Sequence, residues 1–406
     1  MKFDVAIVGA GPAGLKAAIE IARAGGNVVM IDDHPHVGGK LNGQLHEEPN
    51  NGDWWIGVSI AEQLKQEALS LGITILTGTQ VWSVEEGWKL FISNVDGRPL
   101  DNNMIESKAL LLATGAIEKP LPLPGWTLPG VLTIGGAQVL TNQYQVKPGN
   151  RVIVVGVDIL SLSIARAMKM AGADVVGIYI APKNEFTSGI SNPKELLSSF
   201  SSMTKFAPNL FMRLGGNVLK SAIGCSLAAL FYPKNGMKVW DIPIHFRQSI
   251  LAINGEQEVE SVTLTKIDPT GNAIGESFLE KVDAVCISGG LSPQNELAAV
   301  AGCEFVRLNG LSGVVPLHDQ YMQTTVEGLF VAGNITGIEG AKVASAQGVL
   351  AGSSINKYLS IGNVNEGNLE RNAKQVEIVR ETADITFHSE IGSARNKLQK
   401  LWEHRI

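Results

Sequence analysis

The glycines of Val5-Ala-Ile-Val-Gly9-Ala-Gly11-Pro-Ala-Gly14 have the types and spacing to hold a pyrophosphate. In such a turn Gly9 permits the reversal, Gly11 lets the backbone approach the phosphates, and Gly14 lets the following helix close on the preceding strand. The free N–H groups and the dipole of that helix favour an anion. Asp32, about twenty positions on, sits where a carboxylate can accept both ribose hydroxyls of an adenosine, with Asp33 as the fallback. The chemistry expected here is dinucleotide binding.

These residues need a strand–turn–helix–strand frame, and the pattern supplies one. An apolar run precedes Gly9. A helix is expected over about Ala13–Ala24, stopped by Gly25-Gly26, and a second strand over Asn27–Ile31. A helix over Val58–Ser70 and a strand over Ile73–Leu76 continue the alternation. Runs near Gln80–Glu85 and Lys89–Ser93 read as an antiparallel meander, and a strand at Ala109–Ala113 runs into Thr114-Gly115. Prolines at 120, 122, 124 and 129 mark a linker. A second unit then starts: strand Arg151–Val155, Gly156, a helix to Ala171 and strand Asp174–Ile180, with further strands near His245–Asn254, Val259–Lys266 and Val282–Ile287. A buried strand returns at Gly328–Gly333, followed by a helix over Ala341–Leu359. The fold class expected is α/β, with two Rossmann-like three-layer nucleotide-binding domains, the second inserted into the first.

The 406 residues suffice for two or three domains with cores of their own. The net charge of −6 comes without a basic stripe, so nucleic-acid binding has no support. Cys225, Cys286 and Cys303 form no C-x-x-C pair, which leaves a redox dithiol, a zinc site and a cysteine-ligated cluster unsupported; each reads as a small core residue. No metal is expected. The apolar stretch Leu210–Tyr232 approaches a membrane span in length, but Arg213, Lys220, Gly215-Gly216 and Gly224 interrupt it, so a buried or interface helix is expected instead. The N-terminus enters a strand at once, leaving no room for a signal peptide, and a cytoplasmic protein is expected, or one held at a membrane through its partners.

Gly9–Gly14, Ala113-Thr-Gly115 and Gly333-Asn334, in this order and around an inserted second unit, resemble the two-dinucleotide-domain flavoprotein superfamily that includes thioredoxin and glutathione reductases. A narrower resemblance rests on Ile31-Asp-Asp33, Val37-Gly-Gly39, Gly115-Ala-Ile-Glu-Lys-Pro120 and, above all, Leu123-Pro-Gly-Trp126-Thr-Leu-Pro-Gly130-Val. It is to the FAD-containing subunits of opine oxidases, hydrogen cyanide synthase, dye-linked proline and hydroxyproline dehydrogenases and heterotetrameric sarcosine oxidase. The resemblance implies a discontinuous FAD domain over 1–118 and 284–360, an inserted NAD(P)-binding-like domain over 119–283, and a tail over 361–406 available for subunit contact. It implies a cofactor set of Gly9, Gly11, Pro12, Ala13, Gly14, Asp32, Asp33, Gly38, Gly39, Lys40, Val81, Ala113, Thr114, Gly115, Gly333, Asn334, Gly340 and Ala341. Lys40 would lie on the flavin side, and Val81 would contact adenine through its backbone. Asn334 stands where most relatives carry an aspartate, and keeps hydrogen-bonding capacity without charge. The Gly340-Ala341 helix start would face the flavin and favour its reduced anion.

The chain departs from the pattern at Gly156-Val-Asp158-Ile-Leu-Ser161, where aspartate replaces the second glycine and serine the third. A carboxylate there crowds a pyrophosphate and repels it. Strand Asp174–Ile180 also ends without a ribose-binding acid or an arginine cluster for a 2′-phosphate. NAD(P)H as electron source is therefore disfavoured; an adenine nucleotide bound for structure is an alternative in this domain. The reading is an FAD-dependent oxidoreductase acting on C–N bonds, one subunit of an amine or amino-acid dehydrogenase or oxidase, relaying electrons to an acceptor. Its partners would be a second flavoprotein subunit carrying the amine site and a small cysteine-rich iron–sulfur protein. No catalytic residue is assignable. The alternatives are a self-sufficient NAD(P)H-dependent flavin reductase and a non-catalytic flavoprotein scaffold.

Overall fold

The computed structural model describes residues 1–48, 52–184, 187, 190–200, 232, 236–383 and 386–405. The apolar stretch at 210–232, apart from Tyr232, and Cys225 lie outside the described residues. The chain divides into two units: residues 1–42, 56–117 and 291–406 form one, and residues 43–55 and 118–290 the other.

The first unit is built on a five-stranded sheet in the order Leu329–Val331, Ala109–Leu112, Val5–Val8, Val28–Ile31, Thr74–Leu76, every pair parallel. Four of these strands are apolar throughout and buried on both faces, as a covered parallel sheet requires. Alternation sorts their side chains. Val5, Ile7, Met30 and Leu111 join the core under helices Pro12–Arg23, Gly57–Ser70 and Ala341–Leu359, while Ala6, Val8, Val29, Leu110 and Leu112 meet Val84, Leu90, Ile92 and Ile105 of an antiparallel meander. The meander consists of Thr79–Glu85, Lys89–Asn94 and Met104–Glu106.

The fingerprint helix and the last long helix lie against each other with almost no side chain between them. A Cβ on Gly348 would fall 2.2 Å from the Ala13 carbonyl oxygen, and one on Gly352 would fall 2.9 Å from that of Ala17. Two glycines four apart thus meet two alanines four apart, and the backbones approach closely. Ser353 Oγ donates to Glu20 across the same seam at 2.9 Å.

The tail beyond residue 361 folds into helices Glu366–Glu381 and Ile391–Glu403. Leu369 and Val376 enter the core beneath the first helix; Ile391, Ala394 and Leu398 of the second pack on Leu308, Leu311 and Val315.

The second unit carries its own sheet, in the order Val131–Thr133, Ala284–Ile287, Arg151–Val155, Asp174–Ile180, Ile242–Asn254, Ser261–Ile267, Ala273–Lys281. The first five strands run parallel and the last two add antiparallel. Helix Ile159–Met170 covers one face. The proline segment packs on the other: Leu121 and Leu123 are buried among Ile153, Val155, Ile250 and Ile253. Ile253 N donates to the Pro124 carbonyl at 2.8 Å, and a Cβ on Gly125 would fall 2.0 Å from the Ile253 carbonyl oxygen. This segment is a fitted strap, held without regular structure because proline removes its donors. Trp126, within it, is 43% exposed.

Candidate functional site

Strand Val5–Val8 ends at Gly9, which takes φ +104°. Its N–H reaches the Ile31 carbonyl at 2.8 Å, and a Cβ there would strike the Ala113 carbonyl oxygen at 2.3 Å. Gly14 is equally constrained, since its Cβ would fall 2.0 Å from the Gly9 carbonyl oxygen. Gly11 is the opposite case. Its φ is an ordinary −74°, and no protein atom lies within 4 Å of a Cβ built on it. Its lack of a side chain serves nothing in the fold and leaves room beside the turn. Pro12 and Ala13 begin the helix, whose N-cap residue Gly11 offers no side-chain acceptor, so the helix-start N–H groups receive no side-chain cap there.

Asp32 fixes the far side of the turn. One carboxylate oxygen accepts from Ala10 N at 2.6 Å and the other from His34 N at 2.8 Å. Burial lifts this carboxyl above the usual carboxylate range, against the two N–H donors. Lone pairs remain on both oxygens for hydroxyl donors. Asp33 is exposed. His34 and His36 occupy the same loop, where His34 Nδ1 lies 3.2 Å from the His36 carbonyl.

The other predicted residues gather around this turn. Gly38 N donates to the Ala10 carbonyl at 2.8 Å, and the Gly39 Cβ position is 3.4 Å from Gly11 Cα. Lys40 follows in a 3-10 turn and is exposed. Thr114 Oγ1 donates to the Gln294 carbonyl at 2.7 Å, and Gly115, at φ +78°, has open space beside it. Gly333 closes on Ala13, its Cβ position 2.9 Å from the Ala13 Cβ. Asn334 Oδ1 accepts from Glu339 N at 3.3 Å. Gly340 is the N-cap of helix Ala341–Leu359, again without a side-chain cap. Val81 is half-buried in the meander, pairs with Ile92, and is two residues from Thr79, whose N–H binds the Asp32 carbonyl.

Sequence reasoning did not find the polar brace behind these residues. Gln347 Oε1 accepts from Gly333 N at 2.8 Å and lies 3.3 Å from Thr336 Oγ1. Glu339, buried, accepts from Arg380 Nε at 2.5 Å and from Arg395 Nε at 2.8 Å. Burial pushes the Glu339 carboxyl up, but the two guanidiniums outweigh it and hold it below its ordinary value. Arg395 Nη2 also donates to Thr336 Oγ1 at 3.0 Å, and its Nη1 lies 3.5 Å from His318 Nε2. Burial first, and then Arg395, lower the His318 pKa to about 4, so the ring is neutral. Its Nδ1, 2.9 Å from the Asp319 carbonyl, is the protonated nitrogen, and Nε2 accepts. No pattern of charges along the tail marks these contacts, which pair residues 41 and more positions apart.

The second unit repeats the turn but fills it. Gly156 takes φ +98° under the Ser288 carbonyl, as Gly9 does under that of Ala113. Asp158 then caps helix Ile159–Met170: its Oδ1 accepts from Ser161 N at 2.8 Å, and Ser161 Oγ accepts from Asp158 N at 2.9 Å. The other oxygen, Oδ2, accepts from Ser288 Oγ at 2.5 Å. A reciprocal capping box therefore puts a carboxylate on the N–H groups that a phosphate would use. Cys286 and Cys303 are free thiols, both buried, and burial raises them to about 12 and 11. Among the described residues no group of three His, Cys, Asp or Glu side chains could hold a metal ion, and no helix is long and apolar enough to cross a membrane.

A parallel sheet carrying one open glycine cradle, and a second βαβ unit with a modified cradle, define a dinucleotide-binding oxidoreductase fold. Residues 3–192 and 234–348 match the sequence profile of the pyridine nucleotide-disulphide oxidoreductases, and the chain belongs to that family of FAD-binding oxidoreductases. It is 30% identical over 362 residues to a subunit of the opine oxidase of Agrobacterium tumefaciens (strain Ach5), an alignment covering 86% of this chain and 64% of that one. With the HcnB subunit of the hydrogen cyanide synthase of Pseudomonas aeruginosa it shares 27% identity, over 87% of this chain and 71% of the other. Among solved structures, the L-proline dehydrogenase of P. horikoshii superposes with a TM-score of 0.65 at 19% identity, over 92% of this chain and 59% of that one. The thioredoxin reductase of T. acidophilum gives 0.61 at 22%, over 88% and 98%. The chain thus spans just under two thirds of the length of its opine oxidase relative, and the structural likenesses establish the fold.

Proposed function

We propose that this chain is the FAD-carrying subunit of a multi-subunit amine or amino-acid dehydrogenase or oxidase, passing electrons from a partner's flavin to an acceptor. The contrast between its cradles carries the reading. In the first unit, the helix starts at Pro12 and Ala341 have no side-chain cap, and Gly11 leaves room beside the turn. In the second, Asp158 occupies the corresponding helix start.

The first cradle fits FAD. Gly9, Gly11, Pro12, Ala13 and Gly14 would hold the pyrophosphate on backbone N–H groups, and Asp32 the adenosine ribose. Gly38, Gly39, Ala113, Thr114, Gly115, Gly333 and Asn334 would line the path toward the flavin, with Lys40, Val81, Gly340 and Ala341 at its ends; Asp33 is a lesser candidate. When bound, FAD supplies reversible two-electron chemistry. The chain's own part is to orient the cofactor and set the field around it, since none of these residues forms an acid–base pair.

Relatives named as subunits of opine oxidase and hydrogen cyanide synthase support a partner that carries the amine site. A small cysteine-rich iron–sulfur protein would complete the relay, in a cytoplasmic or membrane-attached assembly. The second unit either keeps an adenine nucleotide for structure or serves as packing.

The test uses the purified chain. It is expected to retain FAD and to oxidise no opine, proline, hydroxyproline or sarcosine until a second flavoprotein is added. NADH and NADPH are expected to leave its flavin oxidised in stopped flow. Rapid bleaching by either nucleotide overturns the relay and makes the chain a self-sufficient flavin reductase.

A further inference from the structure

The C-terminal helix reaches the residues that the cofactor reading needs. Arg395, on helix Ile391–Glu403, and Arg380, at the end of helix Glu366–Glu381, both close on Glu339. Their side chains are 10% and 15% exposed, and that of Glu339 is 4% exposed. Glu339 directly precedes Gly340, the N-cap of helix Ala341–Leu359. The brace runs further. Arg395 donates to Thr336, whose hydroxyl donates to the Gly333 carbonyl at 2.9 Å. Glu339 N donates to Asn334. One guanidinium therefore holds the 333–340 segment through Thr336 near its start and through Glu339 at its end.

The charges do not cancel inside this cluster. Two guanidiniums face one carboxylate, and the neutral His318 adds none, so one positive charge is in surplus. Glu377 approaches Arg380 Nη1 at 3.7 Å but is 71% exposed, where solvent and salt screen it.

We propose that Arg395 is a positioning residue of the FAD site: it locks the 333–340 segment to the C-terminal helix and, with Arg380, supplies a surplus buried positive charge that stabilises the reduced flavin. This rests on the FAD reading above. The tail is then part of the redox site, and a charge on it shifts the electron equilibrium without touching the cofactor. Arg suits the position because its rigid fork serves Glu339 and Thr336 together.

Three variants separate positioning from bulk stability. Arg395→Met is expected to weaken FAD binding at least tenfold, read by fluorescence of reconstituted apoprotein. It should also shift the flavin equilibrium toward the oxidised form by at least tenfold, a fall of about 30 mV for a two-electron couple. Arg395→Lys keeps the charge and is expected to restore the potential while leaving affinity reduced. Glu339→Gln removes the negative charge and is expected to move the potential up, opposite in sign to Arg395→Met. Potentials are read by dye equilibration, with circular dichroism checking the fold. Unchanged potentials in Arg395→Met and Glu339→Gln, or shifts of the same sign, overturn the proposal. Should Arg395→Met not fold, the sign for Glu339→Gln and the Arg395→Lys split decide. A wild-type chain that takes up no FAD overturns the cofactor reading instead. Hydrogen exchange of residues 333–340 then judges the brace alone: faster exchange in Arg395→Lys supports it, and unchanged exchange removes it.

Discussion

Asp158→Gly is the sharpest perturbation of the second cradle. In the wild type its carboxylate accepts from Ser161 N and Ser288 Oγ at 2.8 and 2.5 Å, and so occupies the helix start. A pyrophosphate brought there would face that charge at about 4 Å, costing roughly 4 kcal/mol per charge pair at an effective dielectric near 20. That corresponds to about a thousandfold in affinity. The substitution also loses a helix cap, about a few tenths of a kcal/mol because glycine is itself a tolerated N-cap, and leaves Ser288 without its acceptor, a further ~1–3 kcal/mol if no water replaces it. The variant should therefore melt lower yet bind ADP-ribose or NADH far more tightly than the wild type, as measured by calorimetry. Asp158→Asn divides the effect: it keeps the cap and the bulk but removes the charge, and should fall between the two. With no acid at the end of strand Asp174–Ile180 for a ribose, the gain starts from a weak baseline. If the wild type binds ADP-ribose as tightly as Asp158→Gly, the reasoning fails, because the carboxylate would then not be what closes the site.

Gly11→Ala and Gly9→Ala should part company. The first meets no protein atom and an ordinary φ, so the apoprotein should keep its stability to within about 0.5 kcal/mol while FAD affinity drops at least tenfold; the second forces a Cβ to 2.3 Å from a carbonyl oxygen at φ +104° and should destabilise the apoprotein itself, both read by thermal melts and cofactor titration. Gly348→Leu drives a side chain into the Ala13 backbone and should cost about 1–3 kcal/mol or more in chemical denaturation; wild-type stability would mean the helices are not so close. His318 has a folded pKa of about 4 against 6.5 unfolded, so the unfolded state binds the extra proton between these values. Its contribution is complete above pH 6.5 and is lost as pH falls toward 4, up to about 3 kcal/mol at 1.36 kcal/mol per unit. His318→Gln should flatten that part of the stability–pH curve, and an unchanged slope would refute the assignment.

Much of the first glycine turn was legible because its constraints are local. A strand, a turn that only glycine can make and a helix start lie within ten residues, so Gly9 and Gly14 announce themselves by spacing. The strand Asp174–Ile180 and the helix Ala341–Leu359 follow equally from short-range pattern. Strand Ala273–Lys281 left no such signal, because its residues are almost all exposed at a sheet edge and no burial imposes alternation on them. The two-stranded pairing of Leu45–Glu47 with Trp54–Ile56 was too short to stand out.

The sequence by itself determined which turn keeps glycine at its second position and which carries an aspartate there, a difference read from one residue in each turn. It also carried the family, through motifs that keep their order over more than three hundred residues. Only the tertiary structure decided what Asp158 does, because Ser288 comes to it from 130 residues away. Only the tertiary structure joined the tail to the cradle, through Arg380, Arg395, His318 and Glu339. Ion pairs between distant elements leave no periodicity: each partner is one charged residue among many until folding buries it, and burial is what makes the pairing obligatory.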